Sequence, residues 1–109
     1  MSAAPHVPVS IHFPDADGRP ESWGRFVRLA ANGAELATLS RLKKGDTLRL
    51  RFDVQDSGFE LARADLLSVW RDADGYFVGE VRFLDSEVKA RLARVLLDFL
   101  SEARDTAKK

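Results

Sequence analysis

The chain has 109 residues, the size of one domain, and 45% of them are hydrophobic, with seven Phe, enough apolar surface for a single core. Seventeen basic residues balance seventeen acidic ones, so the molecule lacks the cationic field that draws a protein indiscriminately to nucleic acid or membranes. Cysteine is absent, which excludes disulfides, thiolate nucleophiles and cysteine-based metal sites.

In chain order, the first ten residues carry neither a positive n-region nor an apolar run, and no later stretch approaches the roughly 20 apolar residues that span a bilayer. A cytoplasmic location without membrane insertion is the expectation. Residues 1–8 read as a flexible segment, residues 9–105 as one domain with its barrel over about 9–83, and residues 106–109 as a frayed tail. Asp17-Gly18, Asn32-Gly33, Lys44-Gly45, Ser57-Gly58 and Asp74-Gly75 punctuate short alternating runs, the pattern of a meandering β domain. Val9 to Phe13, Arg25 to Ala31 and Ala34 to Thr38 are the first three predicted strands. From Thr47 to Val54, Leu48, Leu50, Phe52 and Val54 share one face, and Arg49, Arg51 and Asp53 the other. Phe59 to Trp70 starts with Phe59 and Leu61 in register and then favours Ala64 and Leu66, so a bulge near Arg63 is expected. Tyr76 to Phe83 is the sixth strand, after the Asp74-Gly75 turn, and six strands suit a small closed or nearly closed barrel.

The period changes at Glu87. Val88, Leu92, Val95, Leu96, Phe99 and Ala103 follow one face of an amphipathic helix over about 86–104, with Asp85 or Ser86 placed to cap its first turn. Its apolar stripe has two destinations, the barrel or a symmetry mate, so the chain reads as a monomer or a helix-mediated homodimer.

No catalytic constellation emerges. The serines have no nucleophile context and the glycines lack phosphate-loop spacing. His6 and His12 lack the spacing of a metal site, so neither an enzyme nor a metal or cofactor protein is expected. Local charge says more: from Arg19 to Arg51 there are eight basic residues against three acidic ones, on which an anionic partner or cross-strand charge pairs would draw. Trp23 beside Arg25, and Trp70 beside Arg71, have the composition of interfaces, or else close the barrel rim. Exposed aromatic platforms are not evident beside the basic residues, so nucleic-acid binding is not expected.

Gly24-Arg-Phe-Val-Arg-Leu-Ala-Ala-Asn-Gly-Ala-Glu-Leu, Leu42-Lys-Lys-Gly-Asp-Thr-Leu-Arg-Leu-Arg-Phe and Val78-Gly-Glu-Val-Arg-Phe, in that order, resemble the PilZ domain family from Val7 to Leu100. The resemblance implies an all-β, six-stranded barrel with a C-terminal amphipathic α-helix, found in bacterial receptors for cyclic di-GMP. Ligand-binding members grip the dinucleotide with an RxxxR motif before the first strand and a D/N-x-S-x-x-G motif after the second. Laid on this chain, those motifs put Ser2 and His6 at the arginines, Arg28 at the Asp/Asn and Ala30 at the Ser, and keep only Gly33. The resemblance therefore points to the branch of protein adaptors exemplified by type IV pilus biogenesis, with Trp23, Arg25, Arg28 and Trp70 as partner interface. A rearranged cyclic di-GMP site using His6, Arg25, Arg28, Asn32 and Gly33 is the alternative.

Overall fold

The computed structural model describes residues 7–14 and 18–107, with side chains of the terminal helix as far as Asp98. Six strands, β1 (Val7–His12), β2 (Ser22–Leu29), β3 (Gly33–Thr38), β4 (Thr47–Val54), β5 (Ser57–Arg71) and β6 (Phe77–Phe83), precede one helix, α1 (Ser86–Ala107). All neighbouring pairs are antiparallel, and the order β1-β2-β3-β6-β5-β4 closes on itself because β1 bonds to β2 on one side and β4 on the other. Closure gives every strand a partner on each side among the described residues.

Strict alternation makes β4 a wall. Leu48, Leu50, Phe52 and Val54 are buried inside while Arg49, Arg51 and Asp53 face water. Phe52 lies at the centre: Phe26 meets it edge-on at 4.9 Å, and Phe59 stacks on it at 4.9 Å with the rings 13° apart. The connection after β3 crosses one end of the barrel and sends Leu42 inside, where Leu42 and Leu66 occupy the space that a side chain at Gly79 would need.

Several boundaries differ from the expectation. Strand β1 begins at Val7, so Val7 and Pro8 belong to the barrel wall, and α1 runs on to Ala107. The turn between β4 and β5 is Gln55-Asp56, with Gln55 at a φ of 54°, so Ser57 and Gly58 already pair with Val54 and Asp53. In β5 the register slips between the Phe59 and Ala62 pairings and again between Leu66 and Ser68, whereas Arg63 pairs regularly with Arg49. The first slip turns Leu61 outward, 69% exposed, instead of into register with Phe59. At the β5–β6 turn Asp72 accepts N–H bonds from Asp74 and Tyr76, both 2.9 Å, and Gly75 takes a φ of 89°.

The helix docks on the barrel through Leu92 and Leu96, both buried, with Val88 and Val95 packed beside them. Arg91 reinforces the contact, its guanidinium 4.6 Å from the Phe59 ring centre and donating to the Gly58 carbonyl at 2.9 Å. The side chains of Phe99 and Ala103 lie outside the described residues. Asp85, expected as a cap, turns its carboxylate to Arg63 instead. It accepts from Nη2 at 2.7 Å and from the Arg63 backbone N–H at 3.3 Å, which pins the start of α1 to β5.

Those bonds from the Arg63 side chain and backbone hold the Asp85 carboxyl below the usual aspartate range. A carboxylate with a lowered folded-state pKa stabilises the fold above its unfolded value of about 3.9, and the contribution is lost as pH falls through the lower folded value. The denaturation midpoint of the wild type should therefore drop more steeply below about pH 4 than that of Asp85→Asn, and parallel acid limbs would remove the pair from the stability of the fold. A methyl at Gly33 would collide with the Val81 carbonyl of the neighbouring strand, whereas at Gly79 it meets only the tips of Leu66 and Leu42. Gly33→Ala should cost about 1–3 kcal/mol in urea denaturation, more than Gly79→Ala. Equal costs would refute the backbone clash.

Candidate docking site on the outer barrel face

A six-stranded barrel has an interior that side chains fill, so chemistry directed at another molecule belongs outside. On the outer face the register sets Arg25 of β2, Ala37 of β3, Val78 of β6 and Trp70 of β5 side by side. At strand spacing this places Trp70 about 14 Å from Arg25 along the row. Ala37 and Val78 are 1% and 5% exposed although they point outward, because larger neighbours cover them. Trp23, Leu39 and Trp70 are left in water at 66%, 71% and 43% exposure, as are Leu61 and Leu67 of β5. Both tryptophans thus stand on the outside of the wall.

Between Trp23 and Tyr76 lies a notch of about 280 Å³, floored by Gly24 and Ala37 and edged by Arg25 and Leu39. Its frame is fixed by hydroxyls: Thr38 donates to the Trp23 carbonyl at 2.8 Å and accepts the Ser40 N–H at 3.2 Å, and the Ser22 and Ser40 hydroxyls bond at 2.6 Å. On the far side, Trp23 also borders a hollow of about 300 Å³ with Pro8, Arg51 and Phe59. Ser10, opposite both Trp23 and Arg51, is buried there with a hydroxyl that has no hydrogen-bond partner in the protein.

Electrostatically the face is uneven. Arg28 lies 3.7 Å from Glu35, and Arg82 lies 3.8 Å from Asp65. Arg25 has no carboxylate within ion-pair distance among the described residues, and its guanidinium sits 5.8 Å from the Tyr76 ring centre. Glu35 pairs across strands with Glu80, so two carboxylates neighbour each other one row away. The basic excess from Arg19 to Arg51 does not form one patch: Arg19 stacks on Phe13 and donates to the Arg41 carbonyl, and Arg51 lies 4.0 Å from Glu21.

Trp23, Arg25 and Arg28 share the outer side of β2, and Trp70 lies on the outer side of β5, three strands further round the closed barrel and outside the notch. Asn32 and Gly33 belong to the β2–β3 hairpin, where the Asn32 carbonyl accepts the Phe83 N–H and Ala30, Ala31 and Asn32 border a hollow against Ala93, Leu96 and Leu97 of α1. His6 lies outside the described residues, and His12 is exposed opposite Arg49. Among the described residues no three His, Cys, Asp or Glu side chains form a metal-holding group, and no helix is long and apolar enough to cross a membrane. Sequence reasoning missed Ala37, Leu39, Tyr76 and Val78 as parts of the site. Composition gave no signal for them, since only the β3–β6 pairing places them beside Trp23 and Trp70.

No family model matches the chain, and no curated protein does. Among solved structures it is similar to YcgR in complex with c-di-GMP from Escherichia coli, with 20% identity and a TM-score of 0.77 over 99% of this chain. The match covers 47% of that protein, so the chain spans about half its length. It is also similar to the PilZ domain of Escherichia coli YcgR with c-di-GMP, with 18% identity and a TM-score of 0.71, covering 99% of this chain and 94% of that one. A closed six-stranded antiparallel barrel followed by one C-terminal helix, superposable on those structures, gives this chain a PilZ-like fold.

Proposed function

We propose that this chain is a non-enzymatic adaptor domain that docks a protein partner on the outer face of β2, β3, β6 and β5. The observation that carries the reading is the exposure of Trp23 and Leu39 beside Arg25 on the outer wall, with Trp70 exposed three strands further round. Aromatic and arginine side chains dominate binding energy at protein interfaces, and a large exposed apolar cluster on a charged surface marks such a site. The resemblance extends the proposal to a cytoplasmic role in type IV pilus biogenesis, motility or related surface behaviour.

The second reading is a cyclic di-GMP receptor with a rearranged site, favoured by the ligand in both similar structures and by two outward arginines, Arg25 and Arg28. Against it, Arg28 presents donors where ligand-binding members present an acceptor to guanine, Glu35 already occupies Arg28, and Ala30 brings no hydroxyl.

Titration of the purified chain with cyclic di-GMP by calorimetry at moderate salt should give no binding heat. A partner recovered by affinity purification, identified and reconstituted from purified components, should bind the wild type and lose that binding with Trp23→Ala, which removes a side chain 66% exposed and leaves the barrel intact. Low-micromolar cyclic di-GMP binding abolished by Arg28→Ala would replace the adaptor reading with the receptor reading.

A further inference from the structure

We propose that the notch between Trp23 and Tyr76 receives one apolar side chain from a protein segment that places a carboxylate on Arg25, an inference that rests on the docking role above. Size limits the occupant first. At about 280 Å³ the notch lies at the lower end of ligand-pocket sizes, with room for a single anchor side chain.

Shape agrees. Gly24 leaves the notch without a side chain at its base, and the Trp23 and Tyr76 rings and Leu39 border it, so a leucine- or phenylalanine-sized group meets apolar surface there. The hydroxyl bonds from Thr38 to the Trp23 carbonyl and between Ser22 and Ser40 tie the start of β2 to the end of β3 and so fix the backbone beneath the notch.

Charge then selects the neighbour of the anchor. Arg28, Arg63 and Arg82 already lie beside Glu35, Asp85 and Asp65, whereas Arg25 at the lip of the notch has no carboxylate partner among the described residues and sits 5.8 Å from the Tyr76 ring centre. A carboxylate arriving there forms a charge-assisted pair at the edge of an apolar, partly desolvated site. A chain of phosphates tracking across the same face would run into the Glu35–Glu80 row, so an acidic peptide fits and a nucleic acid backbone does not.

The test uses nitrogen-15 NMR of the full chain with three short acetylated probe peptides: one with Phe flanked by Asp, one with Lys replacing each Asp, and one with Ala replacing Phe. The first should shift the amide signals of Gly24, Arg25, Ala37, Leu39 and Tyr76, and the other two should bind at least about tenfold more weakly. Arg25→Glu should reverse the preference, so that the lysine peptide binds and the acidic one does not. Absence of shifts with the acidic peptide, equal shifts with the lysine peptide, or the same shifts with cyclic di-GMP would overturn the inference. If the acidic peptide fails while a reconstituted partner still requires Trp23, docking on this face stands and the acidic anchor falls; a partner indifferent to Trp23 removes the docking role itself.

Discussion

Closure of the barrel through β1 is the constraint on which the rest depends. This six-residue strand pairs with β2 through Val7–Ile11 and with β4 through Val9–His12, and so converts a sheet with two open edges into a cylinder. A cylinder of six strands has room only for its own side chains, and here Phe26, Phe52, Phe59 and Phe83 fill it while Leu42 and Leu66 take the volume released by Gly79. Each such burial is worth roughly 1.5–3 kcal/mol, so enlarging a space for a ligand inside would remove the source of stability. Whatever this domain recognises is met on its outer surface or along its helix.

On that surface the ion pairs matter more for what they leave over than for what they stabilise. Arg28 with Glu35, Arg51 with Glu21 and Arg82 with Asp65 are exposed pairs 3.7–4.0 Å apart, each worth little in water. Their effect is to cancel charge locally. Among the described residues Arg25 and Arg71 keep no carboxylate partner and lie over the Tyr76 and Phe77 rings, and Arg25 is the one that borders the notch with Trp23 and Leu39. A cation with aromatic neighbours and no carboxylate partner among the described residues has the composition of an interaction hot spot, whereas the paired rows beside it read as an ordinary solvated sheet.

How much of this was legible in the sequence depends on whether an element is local. The alternation of β4, the switch to helical spacing at Glu87 and the Asp74-Gly75 turn are written in neighbouring residues, and the structure reproduces them. Strand β5 is different. Its two register slips depend on which residues of β4 and β6 it meets, so the turn of Leu61 to the outside could not be read from Phe59 and Leu61 alone. The site shows the same limit. Trp23 and Trp70 attracted attention singly, but only the chain of pairings Arg25 to Ala37 to Val78 to Trp70 relates their positions on the outer wall, and that chain includes the non-sequential neighbours β3 and β6.

A bulge decides the last feature. Arg25 and Arg28 are three residues apart, an odd separation that would send them to opposite faces of a regular strand. The register of β2 slips between Phe26 and Arg28, so one extra residue, Val27, is absorbed and both arginines face outward with Phe26 and Leu29 buried on the inner side. Beyond the slip Arg28 finds Glu35 directly opposite, while before it Arg25 finds the methyl of Ala37. The same defect that places two cations on the outer wall therefore makes them unequal, one tied to the hairpin that Gly33 packs against β6, the other left facing solvent among aromatic rings.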